Sequence, residues 1–224
     1  MGHQYEIEIK TLLGEKKNAD DFRAKLEAKG AVPGKKGRQL NHYFVGRDLS
    51  SFRDRLFPFI ESDKKSLFTD IVTRAKDFSI RTRQTDDTLL LVVKASVGEG
   101  SSANAVSRME FESVILDKTL DELDKIILVS GLEYQAKWSR EREEFTVGDI
   151  TVCLDRNAGY GYLAEFEKVV DDEKKKDSVR SNLELLMKEL GVEELKQDRL
   201  ERMFSHYNRN WRDYYGTDKV FNIE

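Results

Sequence analysis

Residues 5–10 read Tyr-Glu-Ile-Glu-Ile-Lys, so Glu6, Glu8 and Lys10 occupy alternate positions, and the same pattern returns at four further places. Arg81 and Arg83 flank Thr82, and Arg108, Glu110 and Glu112 alternate with Met109 and Phe111. Arg140 and Arg142 stand two apart, and Glu165 and Glu167 flank Phe166. Side chains two apart on a strand share a face, so each run puts its charges on one side of a sheet. A merely solvated face mixes Ser, Thr, Lys and Gln; here glutamates gather on some strands and arginines on others. Carboxylate oxygens suit a hard cation such as Mg²⁺, whose coordination is usually completed by phosphate oxygens, and Glu6, Glu8, Asp155, Glu165 and Glu167 are the candidate donors. A polyphosphate needs several cations along its length, bidentate from arginine and point-like from lysine. Lys10, Arg81, Arg83, Lys94, Arg140 and Arg142 suit that role.

The elements that must position these residues follow from periodicity and glycine, because only Pro33 and Pro58 punctuate the chain as prolines. Strands are expected at residues 5–13, 38–45, 79–83, 88–95, 107–116, 135–147, 149–155 and 162–170. Helices are expected at 18–29, at 120–129, at 174–190 and at 196–215, with one or two more in a helical insertion at 46–79. The polar stretch 98–104 reads as a mobile loop, and 171–177 as a solvated helix entry. Strands with one apolar and one charged side can close into a barrel whose lumen carries the charge and whose outside is covered by helices. The expectation is one domain over 1–224, of α+β class, with residues 171–224 as C-terminal helices packing on the barrel.

Composition narrows the chemistry. With 38 Lys+Arg against 42 Asp+Glu the formal net charge is −4, so no uniform basic surface awaits a nucleic acid backbone. A local patch for an RNA 5′-triphosphate end stays open. Hydrophobic residues at 39% and charged residues at 36% describe a globular chain with many charges to place, and no apolar stretch nears the roughly 20 residues of a spanning helix. The opening residues carry no signal-type apolar segment, so the expected location is the cytoplasm, with no membrane partner. A single cysteine, Cys153, and three histidines preclude an intrachain disulfide and a Cys/His zinc site, so a metal must be held by oxygen. Cys153 reads as a small core residue, and His42 as packed or surface exposed, with a proton shuttle the alternative for His42. Trp138, Tyr160 and Tyr162 read as packing, with ring stacking on a ligand the alternative.

Glu6-Ile-Glu8-Ile-Lys10 resembles the E-x-E-x-K signature of the CYTH superfamily, also called triphosphate tunnel metalloenzymes. Further matches come in the family's order. His42-Tyr43-Phe44 resembles its aromatic second strand, Arg81-Thr-Arg83 its R-x-R strand, and Leu91-Val-Val-Lys94 its strand ending in lysine. Arg108-Met-Glu110-Phe-Glu112 is similar to its R-x-E-x-E strand, Arg140-Glu-Arg142-Glu-Glu-Phe145 to K-x-R-x-x-Y, and Leu154-Asp155 through Gly161 to Glu165-Phe-Glu167 to its closing element. The first residue of the K-x-R-x-x-Y match is arginine here, and 46–79 is longer than the family's usual link. The resemblance implies an eight-stranded antiparallel barrel binding a triphosphate with one or two Mg²⁺ or Mn²⁺ ions. It implies Glu6, Glu8, Asp155, Glu165 and Glu167 near the metal, with Glu110 and Glu112 serving a second metal or holding the arginines. Phosphates would be gripped by Lys10, Arg81, Arg83, Lys94, Arg108, Arg140 and Arg142, and Glu6, Glu8 and Lys10 would lie at the catalytic centre.

Three functions remain open at this point. A triphosphatase would direct water at the terminal phosphorus of inorganic triphosphate, thiamine triphosphate or a nucleoside triphosphate. A class IV adenylate cyclase would use the same residues to turn ATP into cyclic AMP and pyrophosphate. A binding module would hold a triphosphate or polyphosphate intact, although so many carboxylates exceed what binding a polyanion requires. Dimerisation through an outer face also stays open.

Overall fold

The computed structural model describes residues 5–96 and 108–224. The expected loop at 98–104 lies outside them, as do the side chains of Glu6 and Arg108. The elements run β1 (Tyr5–Gly14), α1 (Lys16–Ala28), β2 (Val32–Val45), α2 (Ser50–Leu56), α3 (Lys65–Arg74), β3 (Asp77–Thr85), β4 (Thr88–Ser96) and β5 (Arg108–Val114). They continue as α4 (Leu120–Val129), β6 (Glu133–Val147), β7 (Ile150–Asn157), β8 (Gly161–Val170), α5 (Lys176–Leu190) and α6 (Gln197–Tyr214). The chain divides into two compact units, Met1–Arg38 with Ser139–Glu224, and Gln39–Trp138. Among the described residues no helix is long and apolar enough to cross a membrane.

In the first unit the ladder order is β1-β8-β7-β6-β2. β1 pairs antiparallel with β8, setting Glu8 opposite Glu167 and Lys10 opposite Glu165. β6 pairs with β7, setting Arg142 opposite Asp155 and Arg140 opposite Asn157. The odd residues of β1 face the other way, and Ile9 with Phe166, Val152 and Leu154 packs on α1 and α5 through Phe22, Leu26, Leu183 and Leu190. Phe22 meets Phe166 edge to face at 6.0 Å. Burying that face leaves the alternate, charged face of the same strands for the site. Gly191, at φ 69, ends α5, and the chain beyond it returns to β1, where the Leu195 N–H donates to the Lys10 carbonyl at 2.7 Å. That bond occupies part of the β1 edge, which would otherwise be an open template.

In the second unit the order is β2-β3-β4-β5, all paired antiparallel. Phe44, Ile80, Leu91, Val93 and Phe111 form its apolar face. The helices of the 46–79 segment bury Phe52, Leu56, Phe68 and Ile71 in the same core, so that segment is part of the packing rather than an appendage. α4 begins at a capping box, in which Thr119 Oγ1 accepts from Glu122 N–H at 3.3 Å and the Glu122 carboxylate accepts from Thr119 N–H at 2.8 Å.

Among the described residues the structure bears out the expected α+β class, with eight strands in one antiparallel sheet and six α-helices. Two expectations are corrected. The ladder order has β1 and β5 as its ends, so among the described residues the hydrogen bonding forms an open order and not a closed ring. β2 also starts at Val32, six residues before the expected strand. Gly34, Lys35, Lys36 and Gly37 look like a loop in sequence, but the absence of a side chain at Gly34 admits the backbone of Glu144, whose carbonyl would stand 3.3 Å from an added Cβ.

Candidate active site

On the charged face of the first unit, four strands contribute one continuous set of ion pairs. From β6, Arg142 donates through Nε to Asp155 Oδ1 at 2.8 Å and through Nη2 to Asp155 Oδ2 at 2.7 Å, and it also donates to Glu165. Arg140 donates through Nη1 to Asp155 Oδ2 at 2.9 Å, and the same nitrogen stands 3.8 Å from Glu165 Oε2. From β1, the Lys10 ammonium pairs with Glu8 and lies 3.5 Å from Glu165 Oε1. Glu165 on β8 is therefore the hub that Lys10, Arg140 and Arg142 share.

Burial makes these pairs matter. The Asp155 side chain is 1% exposed, against 13% for Arg142 and 23% for Arg140. Burial penalises the charge on Arg142, yet the hydrogen bond and charge of Asp155, aided by Glu165, outweigh it and raise its pKa. Burial likewise works against the Glu165 carboxylate, but Lys10, Arg142 and Arg140 together hold its carboxyl below the ordinary range. At neutral pH the Arg142 guanidinium and the Glu165 carboxylate are both ionised. Cys153, opposite Glu165 on β7, is buried and its thiol is pushed up to about 12 by that burial, which bears out a core cysteine.

The carboxylates offer the all-oxygen donor set that a hard cation takes. Glu8 and Glu167 are register partners, with Glu165 one inward-facing position along β8. Among the described residues, however, no three His, Cys, Asp or Glu groups stand together as a metal cluster. The nearest counter-ions of Asp155 and Glu165 are arginines, so a metal here would draw its remaining ligands from phosphate or water.

The second unit carries its own cationic face. Arg81 donates through Nη1 to the Tyr43 hydroxyl at 3.0 Å and its guanidinium lies 5.4 Å from that ring, while its buried Nε has no hydrogen-bond partner. Arg83 donates to Asn41 at 3.1 Å and stands 4.0 Å from Glu112, and Lys94 pairs with Glu110 at 3.2 Å. Tyr43, Ser79, Arg81 and Lys94 line a pocket of about 370 Å³. On the opposite, helix-covered face lies a buried network that sequence reasoning missed. Asp124 of α4 accepts from Thr82 at 2.8 Å and from Tyr134 at 2.7 Å, lies 2.5 Å from His42 Nδ1, and stands 3.8 Å from Lys137. The signal was available, because Asp124 interrupts the apolar stripe Leu120, Leu123, Ile127. His42 is packed in this network, away from the charged face.

The aromatic candidates divide. Tyr160 is buried among Phe204, Tyr207 and Phe221, at ring distances of 6.5, 6.5 and 6.2 Å. Those contacts dock α6 and the segment after it, where the Phe221 N–H donates to the Gly159 carbonyl at 2.6 Å. Tyr162 instead lines a groove with Arg140 and Asn157.

A family model described as the CYTH domain matches residues 4–200. Among solved structures, a conserved hypothetical protein from Pyrococcus furiosus is 18% identical over 87% of this chain and 93% of its own, with a TM-score of 0.56. A protein from Pyrococcus horikoshii is 21% identical over 86% of this chain and 94% of its own, also at 0.56. The "putative adenylate cyclase" of Vibrio parahaemolyticus is 16% identical over 92% of this chain and 99% of its own, again at 0.56. Likeness at these identities establishes the shared fold. No curated protein matches the chain by sequence. The family match spans most of the chain, and the structural likeness agrees with it: this chain belongs to the CYTH domain family.

Proposed function

We propose that the chain is a divalent-metal-dependent triphosphatase. The observation that carries this reading is the Glu165 hub, where one lysine and two arginines converge on a single face beside Asp155 and Glu8. Cations held in place by carboxylates before the substrate arrives need little reorganisation when charge develops on a phosphoryl group. Lys10, Arg140 and Arg142 would take the phosphate oxygens, with arginine bridging two of them and lysine acting as a point charge. Arg81, Arg83 and Lys94 are proposed as further phosphate-binding residues, with Arg108 by its place in the R-x-E-x-E match. Arg81 offers an unpartnered Nε for that purpose.

Glu8, Glu165 and Glu167 would hold a Mg²⁺ or Mn²⁺ ion together with Glu6, and the ion when bound would neutralise charge on the phosphoryl oxygens. Glu110 and Glu112 would steady Lys94 and Arg83, beside which they stand. The reaction joins water to the terminal phosphorus and breaks the bridging P–O bond, releasing orthophosphate and leaving the shortened chain with the cations. Glu8, paired to Lys10, is the carboxylate we assign to receiving the water's proton. The cyclase reading uses the same residues and has the name of the Vibrio protein in its favour; it requires cyclic AMP from ATP.

Purified protein incubated with inorganic triphosphate, thiamine triphosphate or ATP, with Mg²⁺ or Mn²⁺, is expected to release orthophosphate and to stop when EDTA is added. Lys10→Ala should lower kcat/KM by at least about a hundredfold, on the scale of removing one electrostatic contact to the transition state. Release of cyclic AMP and pyrophosphate from ATP would replace the reading with the cyclase. No product from any substrate, with intact binding, would replace it with the binding module.

A further inference from the structure

At the end of β7 in the first unit a groove of about 1090 Å³ opens beside the site, lined among others by Leu12, Arg38, Arg140, Asn157, Tyr162 and Val220. Asn157 lies directly across the β6–β7 ladder from Arg140 and is 9% exposed. Its carboxamide Nδ2 is buried and has no hydrogen-bond partner. Buried donors in folded proteins are almost always paired, because an unmade hydrogen bond leaves the full desolvation cost standing. An orphan donor on a residue that lines a cavity therefore points to an acceptor that arrives with a ligand.

Position says which part of a ligand this is. Asp155 and Asn157 are alternate residues of one strand and share a face, as Arg142 and Arg140 do on the neighbouring strand. On that face Arg142–Asp155 and Arg140–Asn157 thus form successive rungs, and Asn157 shares the rung of Arg140, the last cation of the set. Of the other cations that line the groove, Arg156, Lys16 and Arg199 already have acceptors. Arg156 pairs with Glu141 and Asp218, Lys16 pairs with Asp20, and Arg199 donates to the Ile223 carbonyl and to Asn222. The groove thus has three of its cations engaged already. Its volume is of the size that takes a whole small organic ligand, and inorganic triphosphate would leave it empty.

We infer that this groove receives the organic group of an esterified triphosphate, and that Asn157 is a specificity-determining residue whose Nδ2 donates to a carbonyl, ring nitrogen or hydroxyl oxygen of that group. The inference rests on the triphosphatase reading and adds to it a residue of this chain that sets which organic part is preferred.

The test compares ATP and thiamine triphosphate, each against inorganic triphosphate, in wild type, Asn157→Leu and Asn157→Asp. The ratio of kcat/KM for the ester over kcat/KM for inorganic triphosphate should fall about tenfold or more in both variants for at least one ester, the loss of one well-made hydrogen bond. Thermal unfolding gives an independent readout: Asn157→Leu replaces an unpaired buried donor with an apolar group of similar size, and its Tm should equal or exceed that of wild type. An unmoved ratio for both esters overturns the inference, whether activity falls evenly or stays level. Wild-type turnover of inorganic triphosphate alone overturns it while leaving the triphosphatase standing. If no compound is turned over, and calorimetry detects no binding of ATP, thiamine triphosphate or inorganic triphosphate, both readings fall together.

Discussion

Arg142 grips Asp155 with two parallel hydrogen bonds, at 2.8 and 2.7 Å, while Asp155 is almost wholly buried. The pair joins β6 to β7 and orients the guanidinium for a third contact, with Glu165. Removing one member of a buried pair strands the other charge, which costs about 3–5 kcal/mol. Asp155→Ala should therefore lower the unfolding free energy by about that amount in urea titrations. A loss under about 1 kcal/mol would mean that solvent already reaches the pair.

Glu165 makes stability depend on acidity. Burial alone would raise its carboxyl, but Lys10, Arg142 and Arg140 lower it below the ordinary 4.5. Between the two values the unfolded chain binds the proton and the folded chain does not, so the contribution is fully present above pH 4.5 and is lost as pH falls through the folded value. Urea midpoints measured from pH 6 down to pH 3 should fall more steeply for wild type than for Glu165→Gln. Parallel curves would remove Glu165 from the account of acid stability.

Gly161 opens β8 at φ +74, and an added Cβ would stand 2.3 Å from the Gly14 carbonyl oxygen. Neither the left-handed backbone nor the facing main chain can yield cheaply. Gly161→Ala should cost more than about 2 kcal/mol and lower Tm by several degrees. A variant as stable as wild type would show that the β1–β8 ends can separate at this point.

Asp124 holds the polar network of the second unit. With its carboxylate removed, the Thr82 and Tyr134 hydroxyls and the His42 ring lose the acceptor they share. Asp124→Ala should cost about 3 kcal/mol or more, since several buried groups are left unsatisfied at once. A second substitution at His42 should then add less than it does alone, which a double-mutant cycle reads directly. Additive losses would show that the two residues act independently.

The local parts of this molecule were legible in the chain because their causes are local. The period of two along Glu6-Ile-Glu8-Ile-Lys10 assigns a face to each charge whatever strand lies beside it, and the helix expected at 120–129 is α4 at its observed bounds. The motif set also carried the family, and the eight strands came with it. What tertiary structure alone decided was partnership. That Lys10 meets Glu165, that Arg142 takes Asp155 rather than Glu167, and that Asn157 keeps an unspent donor all follow from ladder register between strands far apart in sequence. Register is set by the packing of the opposite faces, Ile9 and Phe166 against Phe22 and Leu26, because a slip of one residue would turn each charge into the core. The start of β2 at Val32 has the same origin: residues 34–37 have weak strand preference of their own, and the neighbouring backbone at Glu144 supplies what they lack.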